Sequence, residues 1–243
     1  MPESLAIPPD AGQAINRLID ELAQACGANL VSVVAYGSAV SGRFRAGGSD
    51  VNLLVVLREA DVATLDAVGT AVCTARAVVP VSLMVAREAE LPLACEAFPV
   101  KFLEIEHVHA VLHGADVLEG MAAPRERLLD RCRQEAINLA WRLRQAVALR
   151  GDGPGLSVLA ERFLPLLLSL LRALVHVRTE EWVLSRDEVI DRAGELLGIE
   201  AAGLRQLLAW RKGQLHLTDA EWLAAMGDLL RTAEAVVEAV HGS

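Results

Sequence analysis

Apolar positions along this chain follow two different periods, and the change from one to the other divides it. From Leu30 to Tyr36, and again from Val51 to Leu57, nearly every residue is aliphatic or β-branched, the pattern of strands buried on both faces of a sheet. Ahead of them, Ile15, Leu18, Ile19 and Leu22 recur at helical spacing, with Asp10 placed to cap that helix and Gly27 to stop it. Behind them, Leu65, Val68 and Val72 mark a crossover helix over 61–77. Val78 to Ala86, VVPVSLMVA, predicts a third strand, which Pro80 assigns to an edge or to a local irregularity. A short segment, 88–97, then leads to a fourth predicted strand, Val100 to Glu106. Strands alternating with helices predict an α/β layer.

From Pro124 onward the period is helical throughout. Residues 124–149 carry Leu128, Cys132, Leu139 and Leu143 on one stripe, and GDGPG at 151–155 breaks the pattern. Residues 156–177 are apolar enough to raise a membrane span, but Glu161, Arg162 and Arg172 interrupt the run and Pro165 disturbs it, so a central bundle helix is expected. Ser185 with Glu188, and Thr218 with Glu221, have capping-box spacing and start two more helices. The expected organisation is an α/β domain over 1–120 followed by an all-α helical bundle over 121–243.

Composition narrows the partners. A chain of 243 residues with 53% hydrophobic content can build two modest cores. Aromatics are 4% of it, too few for a base-stacking surface, and a formal net charge of −9 without a Lys/Arg stripe disfavours nucleic acid. Small cationic substrates or a protein partner stay open, as does oligomerisation. Cys26, Cys73, Cys95 and Cys132 are far apart, without metal-ligand spacing, and read as reduced thiols. With no basic-then-apolar leader in the sequence, a cytoplasmic location is expected.

The chemistry gathers between the first two strands, in LVSVVAYGSAVSGRFRAGGSDVNLLVVL. Gly37 lets the backbone turn, and Ser38 then sits where a short helix would begin, its hydroxyl and the N–H groups behind it suited to an anion. Asp50 and Asn52, two apart at the start of the second strand, project to the same side, toward that turn. This strand, Gly-Ser turn, spacer of 39–49 and Asp50-Val51-Asn52 resemble the nucleotidyltransferase superfamily that shares its core with DNA polymerase beta. Within it, the small prokaryotic adenylyltransferases that modify aminoglycosides or spectinomycin are the most similar members. The second acid of the family pattern is Asn52 here.

The resemblance implies a nucleotidyltransferase-type mixed sheet with flanking helices. It implies a nucleoside triphosphate held at Gly37, Ser38, Arg43, Arg45 and Ser49, with Asp50 and Asn52 as catalytic and Mg2+-binding positions, a small hydroxylated acceptor, and a site in the cleft between the two domains. Family members hold two metals with three carboxylates, because Mg2+ favours charged oxygens and must offset charge on the attacking and leaving groups. Asn52 offers a carbonyl oxygen without charge. At ~4 Å and an effective dielectric near 20, that forfeits roughly 4 kcal/mol per unit of metal charge before desolvation offsets it. For the third acid, the nearest candidates on the later strands are Pro80, Ser82 and Lys101, none acidic; a shifted register would bring in Glu104 or Glu106. Weak or lost transfer is expected, with a non-catalytic, antitoxin-like binding module as the alternative. Arg43 and Arg45 suit either direct phosphate contact or a solvated loop. His107, His109 and His113 read as ordinary polar residues, the first two sharing a strand face if the fourth strand ran on.

Overall fold

The computed structural model describes residues 5–121, 124–149, 155–199 and 201–241, and it divides into two compact units, Met1–Ala123 and Pro124–Ser243. In the first unit α1 (Pro9–Cys26) is followed by β1 (Leu30–Tyr36), β2 (Val51–Leu57), α2 (Val62–Arg76) and β3 (Val81–Arg87). Next come α3 (Leu91–Ala97), α4 (Pro99–His107) and β4 (His109–Gly114). The sheet order is β3-β2-β1-β4; β1 runs antiparallel to both β2 and β4, and β2 runs parallel to β3. A parallel neighbour needs a crossover connection, and α2 supplies it, capped by Asp61, whose Oδ1 accepts from the Thr64 N–H at 2.7 Å.

The uninterrupted apolar runs of β1 and β2 follow from a sheet covered on both sides. Val33, Ala35, Leu53, Val55 and Leu57 face α1 and α2, where Ile15, Leu18, Leu22, Val68 and Val72 complete one core. Val34, Tyr36, Leu54 and Val56 face the other way, onto Leu91, Cys95, Phe102 and Ile105 of α3 and α4. Leu53 through Leu57 are all fully buried, and truncating any of the larger ones to alanine costs about 2–5 kcal/mol.

Two expectations are corrected here. Residues 100–106 are helical, within α4, because Pro99 opens a first turn and Phe102 and Ile105 take the core face at a spacing of three. The last strand of the sheet is instead β4, and His107 ends α4 rather than sharing a strand with His109. The third strand starts at Val81 rather than Val78; Pro80 lies outside it and accepts the Val51 N–H at 2.8 Å. β4 is locked to β1 by buried Ser32, whose Oγ donates to the carbonyls of Ala115 at 2.7 Å and His113 at 3.2 Å. Gly114, at φ +78, backs onto the Val31 carbonyl so closely that any side chain would collide with it.

The described residues of the second unit contain helices and no strand: α5 (Arg125–Ala148), α6 (Leu156–Thr179), α7 (Arg186–Leu197), α8 (Ala202–Arg211) and α9 (Asp219–His241). α6 touches the other four and is the central helix, with Pro165 inside it and Phe163, Leu164, Leu167 and Leu171 buried. Arg172, 7% exposed, is satisfied by donating from Nε to the Val183 carbonyl at 2.8 Å, its guanidinium lying 5.6 Å from the Trp182 ring centroid. Ser185 Oγ accepts the Glu188 N–H at 3.4 Å, and Thr218 and Glu221 form a reciprocal box at the start of α9. α8 was not anticipated; its buried Leu204, Leu207 and Leu208 are a short apolar repeat. Residues 151–154 of the GDGPG break lie outside the described residues. No described helix is long and apolar enough to cross a membrane.

Candidate functional site

The polar end of the sheet is built from the turn that follows β1. Gly37 takes φ +80, and residues 37–39 form a single 3-10 turn against the start of β2. The Gly37 N–H donates to the Val108 carbonyl at 3.1 Å, and the Val40 and Ser41 N–H groups both return to the Gly37 carbonyl. The N–H groups of Ser38 and Ala39, at the start of the turn, have no carbonyl within it to bond. A methyl group on Gly37 would lie 3.1 Å from Asn52 Nδ2, so the turn and the Asn52 amide are already in contact.

Register brings the other groups into line. Tyr36 pairs with Asn52 across the antiparallel ladder, Asn52 with Ser82 across the parallel one, and Tyr36 with His109 on the far side. Partners in a ladder share a face, so Ser82, Asn52, Tyr36 and His109 form one transverse row, on the side of the sheet that carries α3 and α4. Asp50 is exposed just before β2, two residues ahead of Asn52, at the same end of the sheet as the Gly37–Ala39 turn that follows β1.

The spacer folds back on itself. Phe44 packs on the core shared with α1, while half-buried Arg43 on one side donates from Nε to Ser41 Oγ at 3.0 Å and exposed Arg45 lies on the other. Ser49 accepts the Arg45 N–H at 3.2 Å and thereby closes the loop ahead of Asp50. The fold thus assembles Gly37, Ser38, Asp50 and Asn52 at one edge and holds Arg43, Arg45 and Ser49 in the loop beside it.

Two further residues reach this edge from elements that the apolar pattern does not predict, α4 and β4. Lys101, read as a strand residue, projects from α4 so that its Nζ lies 4.6 Å from the centroid of the Tyr36 ring. Partial burial lowers its amine pKa, an effect opposed by nearby Glu104. His109 has Nδ1 at 3.0 and 2.9 Å from the Ile105 and Glu106 carbonyls, and Nε2 at 3.1 Å from Asp116 Oδ2. Asp116 is desolvated, which raises its pKa. The Leu118 N–H and the His109 ring outweigh that and leave the carboxyl below its ordinary range. The signal for Lys101 was Pro99 followed by core residues at a spacing of three. His113 pairs with Val33, which belongs to the opposite face, so the histidines do not converge.

The row and Asp50 beside it offer oxygen donors of unequal kind: one carboxylate at Asp50, one amide at Asn52 and one hydroxyl at Ser82. Glu104 and Glu106 belong to α4 and not to the sheet. Among the described residues no three His, Cys, Asp or Glu side chains gather as metal ligands. A two-magnesium centre held by three carboxylates does not fit this donor set.

No family model matches the chain, and no curated protein matches it in sequence. Its backbone is nevertheless similar to a spectinomycin adenyltransferase, AAD(9), from Enterococcus faecialis, solved with ATP and spectinomycin. The TM-score is 0.61 at 12% sequence identity, over 91% of this chain and 98% of that one. The likeness establishes the fold: a nucleotidyltransferase-type mixed sheet with flanking helices, followed by a helical region.

Proposed function

We propose that this chain binds a nucleoside triphosphate at the Gly37–Ser38 turn, and that its metal-dependent transfer of the nucleotidyl group to a small hydroxylated acceptor is weak or lost. The observation that carries the reading is the Gly37–Asn52 contact: the anion-suited turn is kept against β2, while the second acid's position holds an amide. Ser38 Oγ and the opening N–H groups of the turn are the phosphate donors, and Arg43 adds a fixed positive charge from the loop. Asp50 and the Asn52 carbonyl are the positions for Mg2+, held weakly because one charge stands where three are needed. A small hydroxylated acceptor is the class suggested by the structural relative, which was solved with spectinomycin.

A non-catalytic regulatory or antitoxin-like module is the second reading. The neutral pair Asn52 and Ser82, neighbours in register, favours it. A labelled-nucleotide transfer assay over a panel of hydroxylated amines, run beside calorimetry with ATP and Mg2+, separates the two. We expect measurable ATP binding with little transfer. Rapid turnover that Asp50→Ala abolishes would overturn the impaired-site reading, and absence of ATP binding at millimolar concentration would overturn the nucleotide reading itself.

A further inference from the structure

We infer that the edge around Tyr36 and Asn52 holds the polyphosphate of its nucleotide without a divalent cation, the Lys101 ammonium supplying the positive charge; this rests on the nucleotide reading above. A site with three carboxylates carries three negative charges and repels a polyphosphate until metals reverse the sign. Here the row Ser82, Asn52, Tyr36 and His109 contains no carboxylate, and Asp50 beside it contributes one. Lys101 brings one positive charge to the same face, against Asp50 and the Asp116 carboxylate bonded to His109, so the edge carries less negative charge than a three-carboxylate site does.

Geometry places that charge where a phosphate would need it. Tyr36 is 7% exposed, and its ring is the platform on which the Lys101 ammonium rests, 4.6 Å from the centroid. Tyr36 is the ladder partner of Asn52 and the residue immediately before Gly37, so the ring that carries the ammonium belongs to the same face and the same end of the sheet as Asn52 and the turn. An ammonium has three donors, and a ring face occupies none of them with a hydrogen bond. Desolvation lowers the amine pKa somewhat, while the residue stays exposed enough for an anion to reach it. Glu104, one turn along α4, is the competing carboxylate. The Asn52 amide, against Gly37, presents Nδ2 on the turn side, a donor where the family's acid would only accept.

Calorimetry on the full chain tests this with two probes, ATP and inorganic tripolyphosphate, each in EDTA and in Mg2+. We expect ATP affinity in EDTA to be within about threefold of that in Mg2+, and tripolyphosphate to bind in EDTA as well. Lys101→Met should weaken metal-free binding about tenfold or more, whereas Lys101→Arg should keep it within about threefold. Asp50→Asn should tighten metal-free binding, because it removes repulsion; in a metal-dependent site the same change weakens binding. Thermal melts report whether each variant folds, and if Lys101→Met does not, the sign of the Asp50→Asn effect decides. Binding confined to Mg2+, or metal-free binding indifferent to Lys101, overturns the inference while the nucleotide reading stands. Binding under neither condition overturns that reading together with this one.

Discussion

Gly37 and Asn52 are in contact across the β1–β2 ladder: the glycine turns at φ +80, and the Asn52 amide nitrogen lies where a side chain on Gly37 would begin, 3.1 Å from its first carbon. Turn and strand therefore constrain each other. Gly37→Ala should cost about 1–2 kcal/mol from the left-handed backbone alone, plus an increment from displacing Asn52. Denaturant unfolding of Gly37→Ala, Asn52→Ala and the double variant isolates that increment, which should vanish in the Asn52→Ala background. Equal costs in both backgrounds would show that the amide yields freely.

Restoring an acid at position 52 should not restore the chemistry. Asn52→Asp alone is expected to leave transfer low, since Ser82, its neighbour on β3, remains neutral. Asn52→Asp combined with Ser82→Asp should tighten Mg2+ more than tenfold over either single change, a gain of about 1.4 kcal/mol or more. Titration with Mg2+ followed by calorimetry checks this; full turnover by the single variant would mean that position 82 is not required.

Much of this arrangement was legible in the sequence. The strands at Leu30–Tyr36 and Val51–Leu57 are bounded as the apolar runs predict, because a strand buried on both faces leaves no room for a polar interruption. The capping box at Thr218 and Glu221 was visible because its two halves are three residues apart and need no tertiary partner. Residues 100–106 failed for the opposite reason. VKFLEIE satisfies a period of two and a spacing of three about equally, and only the core of α3 and α4 decides between them. The misplacement hid Lys101, whose contact with Tyr36 joins residues 65 positions apart. HAVLHG in β4 was obscured because two polar histidines flank only three apolar residues, too short a run to stand out as a strand.

The start of α9 should be acid-labile. Glu221 accepts from the Thr218 N–H at 2.8 Å and from Thr218 Oγ1 at 2.7 Å, and these bonds, the backbone one first, hold its carboxyl below the ordinary glutamate range. A lowered folded-state pKa contributes stability that is full above the unfolded value, about 4.3, and is lost as pH falls through the lower folded one. Glu221→Ala should therefore lower Tm at pH 7, with the gap to the parent chain closing as pH falls below about 4.3. A gap independent of pH would assign the cap to shape rather than charge.

The cysteines should separate by reactivity. Cys132, buried in α5 and next to Glu135, has its thiol pushed up to about 12, chiefly by desolvation, and buried Cys95 is raised for the same first reason. Cys73 is exposed on α2. With iodoacetamide at pH 8 and native conditions, mass spectrometry should find Cys73 modified first and Cys95 and Cys132 spared until unfolding, because the thiolate is the reactive form. Early labelling of Cys132 would reveal opening of the helical unit.

The sheet order β3-β2-β1-β4 has a consequence for synthesis on the ribosome. β1 pairs with β2 as soon as residue 57 has emerged, but its other edge waits for β4, which ends at residue 114. At about 5–20 residues per second, those 57 residues take roughly 3–11 s. During that interval a row of unpaired N–H and C=O groups lies along an apolar strand. Arrested chains ending shortly after β3 should be cleaved by protease near β1, and chains long enough to expose β4 should not. The position of β4 therefore sets how long the nascent chain must be kept from pairing with its neighbours on the same message.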